Sequence, residues 1–202
     1  MIKGIDVSEN NGWIDWKAVK ENGIEFAIIR LGYGRGHLDS LFYKNVNEAL
    51  GAGLKIGVYY YSYALNRVGA WEEASYMMHI LESSGLTPGK LEMGIWFDME
   101  DGDGYKERNG MPSAQTITAM CNEFITECNR HGYNCGIYAS LDWLENRIYT
   151  NLLPEYAPIW CAQWAHSCDW PGATMWQFTD RLKVGNRWFD GNWLLECGRA
   201  VK

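Results

Sequence analysis

The sequence predicts an α/β barrel, and three observations predict it. Short runs rich in β-branched and aromatic residues alternate with longer polar segments of helical period, the pattern of βα units around a parallel sheet. Eight such runs can be marked, enough to close a sheet on itself. After Ser140 the long helical segments stop and the last three runs follow one another at short intervals, so the barrel is expected to close through hairpin-like connections with an incomplete outer ring of helices.

In chain order, the first strand is expected over Gly4–Val7, followed by a helix over Trp16–Glu21 with Asp15 as N-cap and Gly23 as stop. A strand over Phe26–Gly32 precedes a helix over Leu41–Ala52 that ends at Gly53. The strand Ile56–Tyr63 leads to a helix over Ala70–Ser83, stopped by Gly85. The strand Gly94–Glu100 is followed by a helix over Ala114–Arg130, capped by Ser113 and stopped by Gly132. In these helices Leu, Ile, Met and Phe recur every three or four residues. The remaining strands are expected over Gly136–Ala139, Ile159–Trp164, Met175–Thr179 and Arg187–Trp193.

At 202 residues and 47% hydrophobic composition, the chain suits one substantial core, and residues 1–202 read as a single domain without repeat, low-complexity tract or linker. Its net charge of -7 supplies no basic field for phosphates, which excludes nucleic acid and anionic membrane surfaces as partners. An uncharged or weakly charged polymer fits better. Eleven Trp and twelve Tyr serve first as core-filling residues, and their ring faces also suit the C–H faces of sugars. The N-terminus lacks a signal-like apolar run, and no stretch approaches the ~20 apolar residues of a membrane span, so a chain without signal peptide or membrane insertion is expected.

Cys121, Cys128, Cys135, Cys161, Cys168 and Cys197 are read as buried free thiols, because a chain of this size needs no staples. Cys161, His166 and Cys168 match no common zinc spacing, and no metal or cofactor is assigned. The four His are scattered, without HExxH. The run Gly32-Tyr33-Gly34-Arg35-Gly36 follows a strand but lacks the Lys-Ser/Thr of a phosphate loop, and reads as a strand-end turn.

The segment Gly94-Ile95-Trp96-Phe97-Asp98-Met99-Glu100-Asp101 carries most of the chemical information. Side chains alternate along a strand, so Asp98 and Glu100 share a face at a backbone spacing of roughly 6.5–7 Å. Paired carboxyls at the C-terminal end of a barrel strand suit glycosidic cleavage, where one group protonates the leaving oxygen and negative charge stabilises the developing cation. Asp101 and Asp103 read instead as loop or cap acids. Asp6 ends the first strand and Asp190 lies on the last, its neighbour in a closed barrel, so both can face Asp98 and Glu100 across one pocket. Four converging carboxylates repel one another and hold at least one proton near neutrality.

These residues resemble the glycoside hydrolase family 25 muramidases, also called Chalaropsis-type lysozymes. The resemblance runs from Lys3-Gly4-Ile5-Asp6-Val7-Ser8 and Ile14-Asp15-Trp16 through Phe26-Ala27-Ile28-Ile29-Arg30 and Ile56-Gly57-Val58-Tyr59-Tyr60-Tyr61. It continues with Asp98-x-Glu100, Gly136-Ile137-Tyr138, Trp160-x-Ala162, Trp176-Gln177-Phe178 and Asp190. It implies a flattened (β/α)5(β)3 barrel that cuts the β-1,4 bond between N-acetylmuramic acid and N-acetylglucosamine. Glu100 matches the general acid. Asp98 matches the partner that assists the substrate's 2-acetamido group or, in another reading, acts as nucleophile. Asp6 and Asp190 match the remaining pocket carboxylates, and Tyr59, Tyr61, Tyr138, Gln163, Trp164 and Gln177 are the expected substrate-binding residues. The implied partner is the peptidoglycan glycan strand, met as a monomer at the bacterial wall, outside the cell or after release from a host cytoplasm on lysis.

Two departures stand out: Tyr60 occupies a position where many relatives have His, and Phe189-Asp190-Gly191-Asn192 replaces a more usual Val-Asp-Leu/Ile-Asn. Three other readings use the same residues. A chitin hydrolase would show a longer Asp-x-x-Asp-x-Asp-x-Glu run, which Gly94–Glu100 lacks; a catalytically silent glycan-binding barrel would have lost an acid; a divalent-cation site is the third.

Overall fold

Strand pairing closes the sheet in the way the sequence requires. The computed structural model describes residues 1–195, so Cys197 lies outside the described residues. The strands are β1 (Ile2–Val7), β2 (Phe26–Tyr33), β3 (His37–Leu38), β4 (Lys55–Tyr61), β5 (Ile95–Asp98), β6 (Cys135–Ser140), β7 (Ile159–Ala162), β8 (Met175–Val184) and β9 (Arg187–Leu194). The α-helices are α1 (Trp16–Glu21), α2 (Phe42–Gly51), α3 (Arg67–Ser83), α4 (Tyr105–Arg108), α5 (Ala114–Arg130) and α6 (Leu141–Asn146), with single 3-10 turns at Glu9–Asn11, Pro88–Lys90 and Thr150–Leu152.

Around the barrel the order is β1-β2-β4-β5-β6-β7-β8-β9, closed by β9 on β1, with the two-residue β3 folded back on β2. Neighbours from β1 to β8 are parallel, whereas β9 is antiparallel to both β8 and β1. This is a closed mixed α/β barrel of eight strands with helices packed outside it.

The local signals act as expected where they are strong. Asp15 caps α1 by accepting from the Ala18 N–H (3.0 Å), and Ser113 caps α5 by accepting from Thr116 (3.2 Å). The stops Gly23, Gly53, Gly85 and Gly132 all take positive φ, a region other residues enter only under strain. Two expectations need correction. β7 and β8 are parallel and joined by a loop without a helix, so hairpin closure applies to β8–β9 alone. A short helix, α6, follows Ser140, whose Oγ accepts from the Trp143 N–H (3.2 Å); at six residues it is too brief to show a period.

Two layers of apolar side chains result from strand alternation. Facing inward, Phe26, Ile28, Met93, Trp96, Trp160 and Met175 fill the barrel floor. Gly4 is required there, because a Cβ would lie 2.3 Å from the Phe26 ring. Facing outward, residues such as Ile29, Val58, Phe97 and Ile137 pack beneath the helices. Phe97 stacks on Phe124 of α5 with centroids 4.0 Å apart. Tyr60 belongs to this outer layer too: it is fully buried and donates its hydroxyl to the Gly34 carbonyl (2.8 Å). Cys121, Cys128, Cys135 and Cys161 are buried free thiols, and Cys168 is a half-buried one.

Because Phe124 bridges helix and sheet with no exposure, Phe124→Ala is expected to lower the unfolding free energy by about 3–5 kcal/mol in denaturant titrations. A loss below about 1 kcal/mol would mean that this layer relaxes into the cavity rather than packing rigidly.

Candidate active site

The inward face changes character along the barrel axis. Below, it is apolar; toward the C-terminal ends of the parallel strands it becomes polar. Asp6 stands two residues beyond Gly4 on β1, Arg30 two beyond Ile28, Asp98 two beyond Trp96 and Gln177 two beyond Met175, each one strand repeat above a floor residue. From the antiparallel β9, Asp190 is registered opposite Asp6. The β5 ladder ends at Asp98, but the Met99 N–H still donates to the Tyr138 carbonyl (2.9 Å). The chain therefore stays extended for one more residue, and Glu100 returns to the face of Asp98.

These side chains line one cavity of about 370 Å³. Of the residues singled out in the sequence, Asp6, Asp98, Glu100, Asp190, Tyr59, Tyr61, Tyr138, Trp164 and Gln177 lie on its wall. Gln163 does not. Its amide is tied to Asp169, accepting from the Asp169 N–H (2.7 Å) and donating to its carboxylate (2.5 Å), which pins the β7–β8 loop beside the cavity. Tyr59 and Tyr61 face inward and Tyr60 outward, as strand parity dictates.

The cavity also includes Ser8, Asn10, Asn11, Arg30 and Trp160, which sequence reasoning did not single out. Parity with Asp6 and Ile28 would have found Ser8 and Arg30. Arg30 brings little free positive charge, because its guanidinium is already paired with Asp39 (2.9 Å) and Glu9 (3.0 Å).

Asp6 is held by a relay. Its Oδ2 accepts from Asn192 (2.7 Å) and Gln177 (3.0 Å). Gln177 in turn accepts from the Tyr138 hydroxyl (3.0 Å), and Asn192 accepts from the Trp160 indole N–H (2.9 Å). Behind Glu100 lies a residue with no sequence signature, Lys106. It is fully buried on the short α4, and its ammonium donates to the backbone carbonyls of Glu100 (2.7 Å) and Ser62. Asp101 holds that turn in place by accepting from the N–H groups of Lys106 (2.6 Å) and Glu107 (2.9 Å), the capping role expected for it. Gly102 lies close against this carboxyl, so a Cβ there, 2.9 Å from Glu100 Oε2, would push the Glu100 side chain aside.

Burial dominates the electrostatics. It pushes Asp98 well above the usual carboxylate range, with the neighbouring Glu100 charge adding to the effect. Asp98 Oδ1 has no hydrogen-bond partner among the described residues. Burial raises Glu100 as well, opposed by a hydrogen bond from Asp98 and by the Lys106 charge. Both shifts favour keeping a proton on the pair. Asp190 is pushed up to about 8 by burial and then by the Asp6 charge. Asp6 rises to about 6 through burial, against the pull of Asn192 and Gln177. Burial also keeps Tyr59, Tyr61 and Tyr138 protonated as hydroxyl donors.

A closed α/β barrel with a partly protonated carboxylate cluster at the C-terminal mouth of its parallel strands is an architecture suited to acid-assisted cleavage of glycosides. The model for glycosyl hydrolases family 25 matches residues 5–186, and the chain belongs to that family. Lysozyme M1 of Streptomyces globisporus is 26% identical over 191 residues, covering 91% of this chain and 64% of that protein. The modular autolysin LytC of Streptococcus pneumoniae, solved with a synthetic peptidoglycan ligand, has a TM-score of 0.82 at 26% identity, over 95% of this chain and 46% of LytC. The bacterial lysozyme of Streptomyces coelicolor has a TM-score of 0.81 at 24% identity, over 98% of this chain and 93% of that one. The chain thus spans less than two thirds of the first two proteins.

The raised carboxyls make stability depend on pH. Asp190 (about 8), Glu73 (about 7) and Asp6 (about 6) titrate higher in the folded chain than the ordinary value near 4, so the folded state binds more protons in between. Stability should fall as pH rises from about 4 to about 8. Calorimetry is expected to give a lower Tm at about pH 8 than at about pH 5, and Asp190→Asn should narrow that difference. A wild-type Tm that climbs across the interval contradicts this account.

Proposed function

We propose that this chain is an N-acetylmuramidase, a lysozyme that hydrolyses the β-1,4 bond between N-acetylmuramic acid and N-acetylglucosamine in peptidoglycan. The observation that carries the reading is the Asp98–Glu100 pair on one face of a single strand end, Asp98 buried and Glu100 half-buried, with burial pushing both carboxyls above the usual range. Glu100, backed by Lys106 through its own carbonyl, is the general acid that protonates the glycosidic oxygen. As the bond breaks, the substrate's 2-acetamido oxygen closes on the anomeric carbon, and the Asp98 carboxylate accepts the acetamido N–H and offsets the developing positive charge. Glu100, now ionised, takes a proton from the water that opens this cyclic intermediate, which restores the acid.

The other residues bind and orient. Tyr59 and Tyr61 present hydroxyl donors, Tyr138 spends its hydroxyl on Gln177 (3.0 Å), and Trp164, 64% exposed at the rim, offers a ring face to a sugar. Asp6, raised only to about 6, keeps negative charge opposite the reacting pair near neutrality, while Asp190, pushed up to about 8, presents a protonated carboxyl there. The partner is the glycan strand of the bacterial wall, where the protein acts as a monomer.

Glu100→Gln keeps the shape and removes the proton donor, so clearing of wall suspensions should fall by about 10²–10⁴-fold with an unchanged circular dichroism spectrum. Activity close to wild type in that variant would sink the assignment. Mass spectrometry of the fragments should find muramic acid at the new reducing ends; glucosamine there would mean a different bond.

Asp98→Asn is expected to lose most activity but less than Glu100→Gln. A substrate whose muramyl sugar carries a free amine in place of the acetamide should resist cleavage. A glycosyl ester trapped on Asp98, or rapid cutting of the de-acetylated sugar, would make Asp98 the direct nucleophile instead.

A further inference from the structure

A second cavity, of about 310 Å³, opens beside the first and shares no lining residue with it. Its walls include Tyr33, Arg35 and His37 from the β2–β3 hairpin, Tyr63 from the segment after β4, and Tyr105 of α4. The Gly32-Tyr33-Gly34-Arg35-Gly36 run is thus a turn, as its sequence indicates, and the turn builds this wall. Gly34 and Gly36 take φ of +54° and +76°, reversing the chain tightly enough to pair Tyr33 with His37. Their rings stack at 5.1 Å with only 3° between planes. A Cβ on Gly34 would lie 2.6 Å from the Tyr63 ring, so the hairpin sits directly on that ring.

Tyr63 is itself fixed from three sides. Its hydroxyl donates to Asp103 (2.6 Å), its N–H donates to Glu73 (2.7 Å), and its ring lies 4.7 Å from Tyr105. The cavity is therefore formed before any ligand arrives, which lowers the ordering cost of binding. Its acid, Glu73, has both oxygens engaged, by Ser62 and by the Tyr63 N–H. Its cation, Arg35, is exposed at the hairpin tip and forms no ion pair among the described residues.

The two cavities meet at a thin wall. Tyr61, which lines the catalytic cavity, touches Tyr63 at a ring separation of 5.3 Å, and the Arg30 guanidinium lies 5.0 Å from the Tyr33 ring centroid. We propose that the second cavity receives the peptide stem of peptidoglycan, with Arg35 binding a stem carboxylate; this assignment rests on the muramidase reading of the neighbouring cavity. Two observations favour a peptide over a further sugar. A continuous glycan needs an unbroken trough, and here a wall of side chains intervenes, whereas a branch leaving a sugar ring can step over it. Uncharged N-acetylated sugars also offer a guanidinium only neutral acceptors, while stem peptides carry free carboxylates that pair with its charge.

Titration calorimetry on the wild-type chain with two soluble probes tests the proposal. One is the N-acetylglucosamine–N-acetylmuramic acid disaccharide bearing a tetrapeptide stem; the other is the same disaccharide with its lactyl carboxyl capped as a methylamide, so that neither carries a free lactyl carboxylate. The stem-bearing probe should bind roughly three- to tenfold more tightly, in keeping with one charge-assisted contact at a solvent-exposed arginine. Arg35→Gln should abolish that difference and leave the capped probe unaffected, and Arg35→Lys should restore part of it. Equal affinities for the two probes in the wild type would overturn the proposal. So would a preference that survives Arg35→Gln, or a loss shared by both probes, which marks a sugar subsite. Failure of the muramidase reading would show elsewhere, as intact walls after wild-type treatment, since neither probe contains the bond to be cut.

Discussion

Four carboxyl groups, Asp6, Asp98, Glu100 and Asp190, share a cavity of about 370 Å³, and the mutual repulsion and desolvation of those groups set the terms for everything around them. They cannot all be ionised in so little water. Removing one charge by protonation is the least costly response, and burial together with neighbouring negative charge drives the folded chain toward it. The property that makes the cluster expensive is also the one that supplies an acid near neutral pH.

The surrounding structure offsets part of this cost without abolishing it. Asn192 and Gln177 give Asp6 two neutral donors, and those amides are anchored by Trp160 and Tyr138. Neutral donors ease the burial of a charge while leaving the net charge of the cavity unchanged. The cations are placed more sparingly. Arg30 reaches the wall with Asp39 and Glu9 already bound to it. Lys106 stays behind Asp98 and Glu100, bonded to main-chain carbonyls and not to either carboxylate, so it moderates their charge from a distance. A direct ion pair to Glu100 would favour its ionised form.

Much of this was legible in the sequence because it follows from period-two alternation. The eight barrel strands fall within or overlap the apolar runs, and alternation places Asp98 with Glu100 and Tyr59 with Tyr61 on the inner face. What escaped has a common physical cause: it depends on side-chain and turn contacts that no period of apolar residues encodes. Lys106 lies on one turn of helix in a loop, and only the approach of Ser62 and Glu100 distinguishes it from a solvated lysine. Gln163, placed in the expected strand Ile159–Trp164 and expected to bind substrate, instead has its amide captured by Asp169 six residues on. β3 is two residues long, too short for any pattern, and exists because two glycines reverse the chain.

The antiparallel closure by β9 has the widest structural effect. A parallel eighth strand would have ended at the mouth like its neighbours, whereas here β8 runs on past Gln177 through two register shifts and returns as β9. The hairpin therefore runs on beyond Gln177, and Arg187 beside its turn bonds the carbonyls of Asn11 and Trp13, tying the tip to the segment after β1. On its return, β9 passes Asp190 directly opposite Asp6 and then Asn192 opposite Gly4. One strand thus contributes both the acid nearer the opening and the amide that steadies the acid below it. Asp190 remains half-buried where Asp98 is buried, which grades the cavity from a wetter upper wall to a dry floor. That gradient leaves the Asp190 and Glu100 carboxyls open to solvent while Asp98 and the Asp6 amide relay are shielded from it.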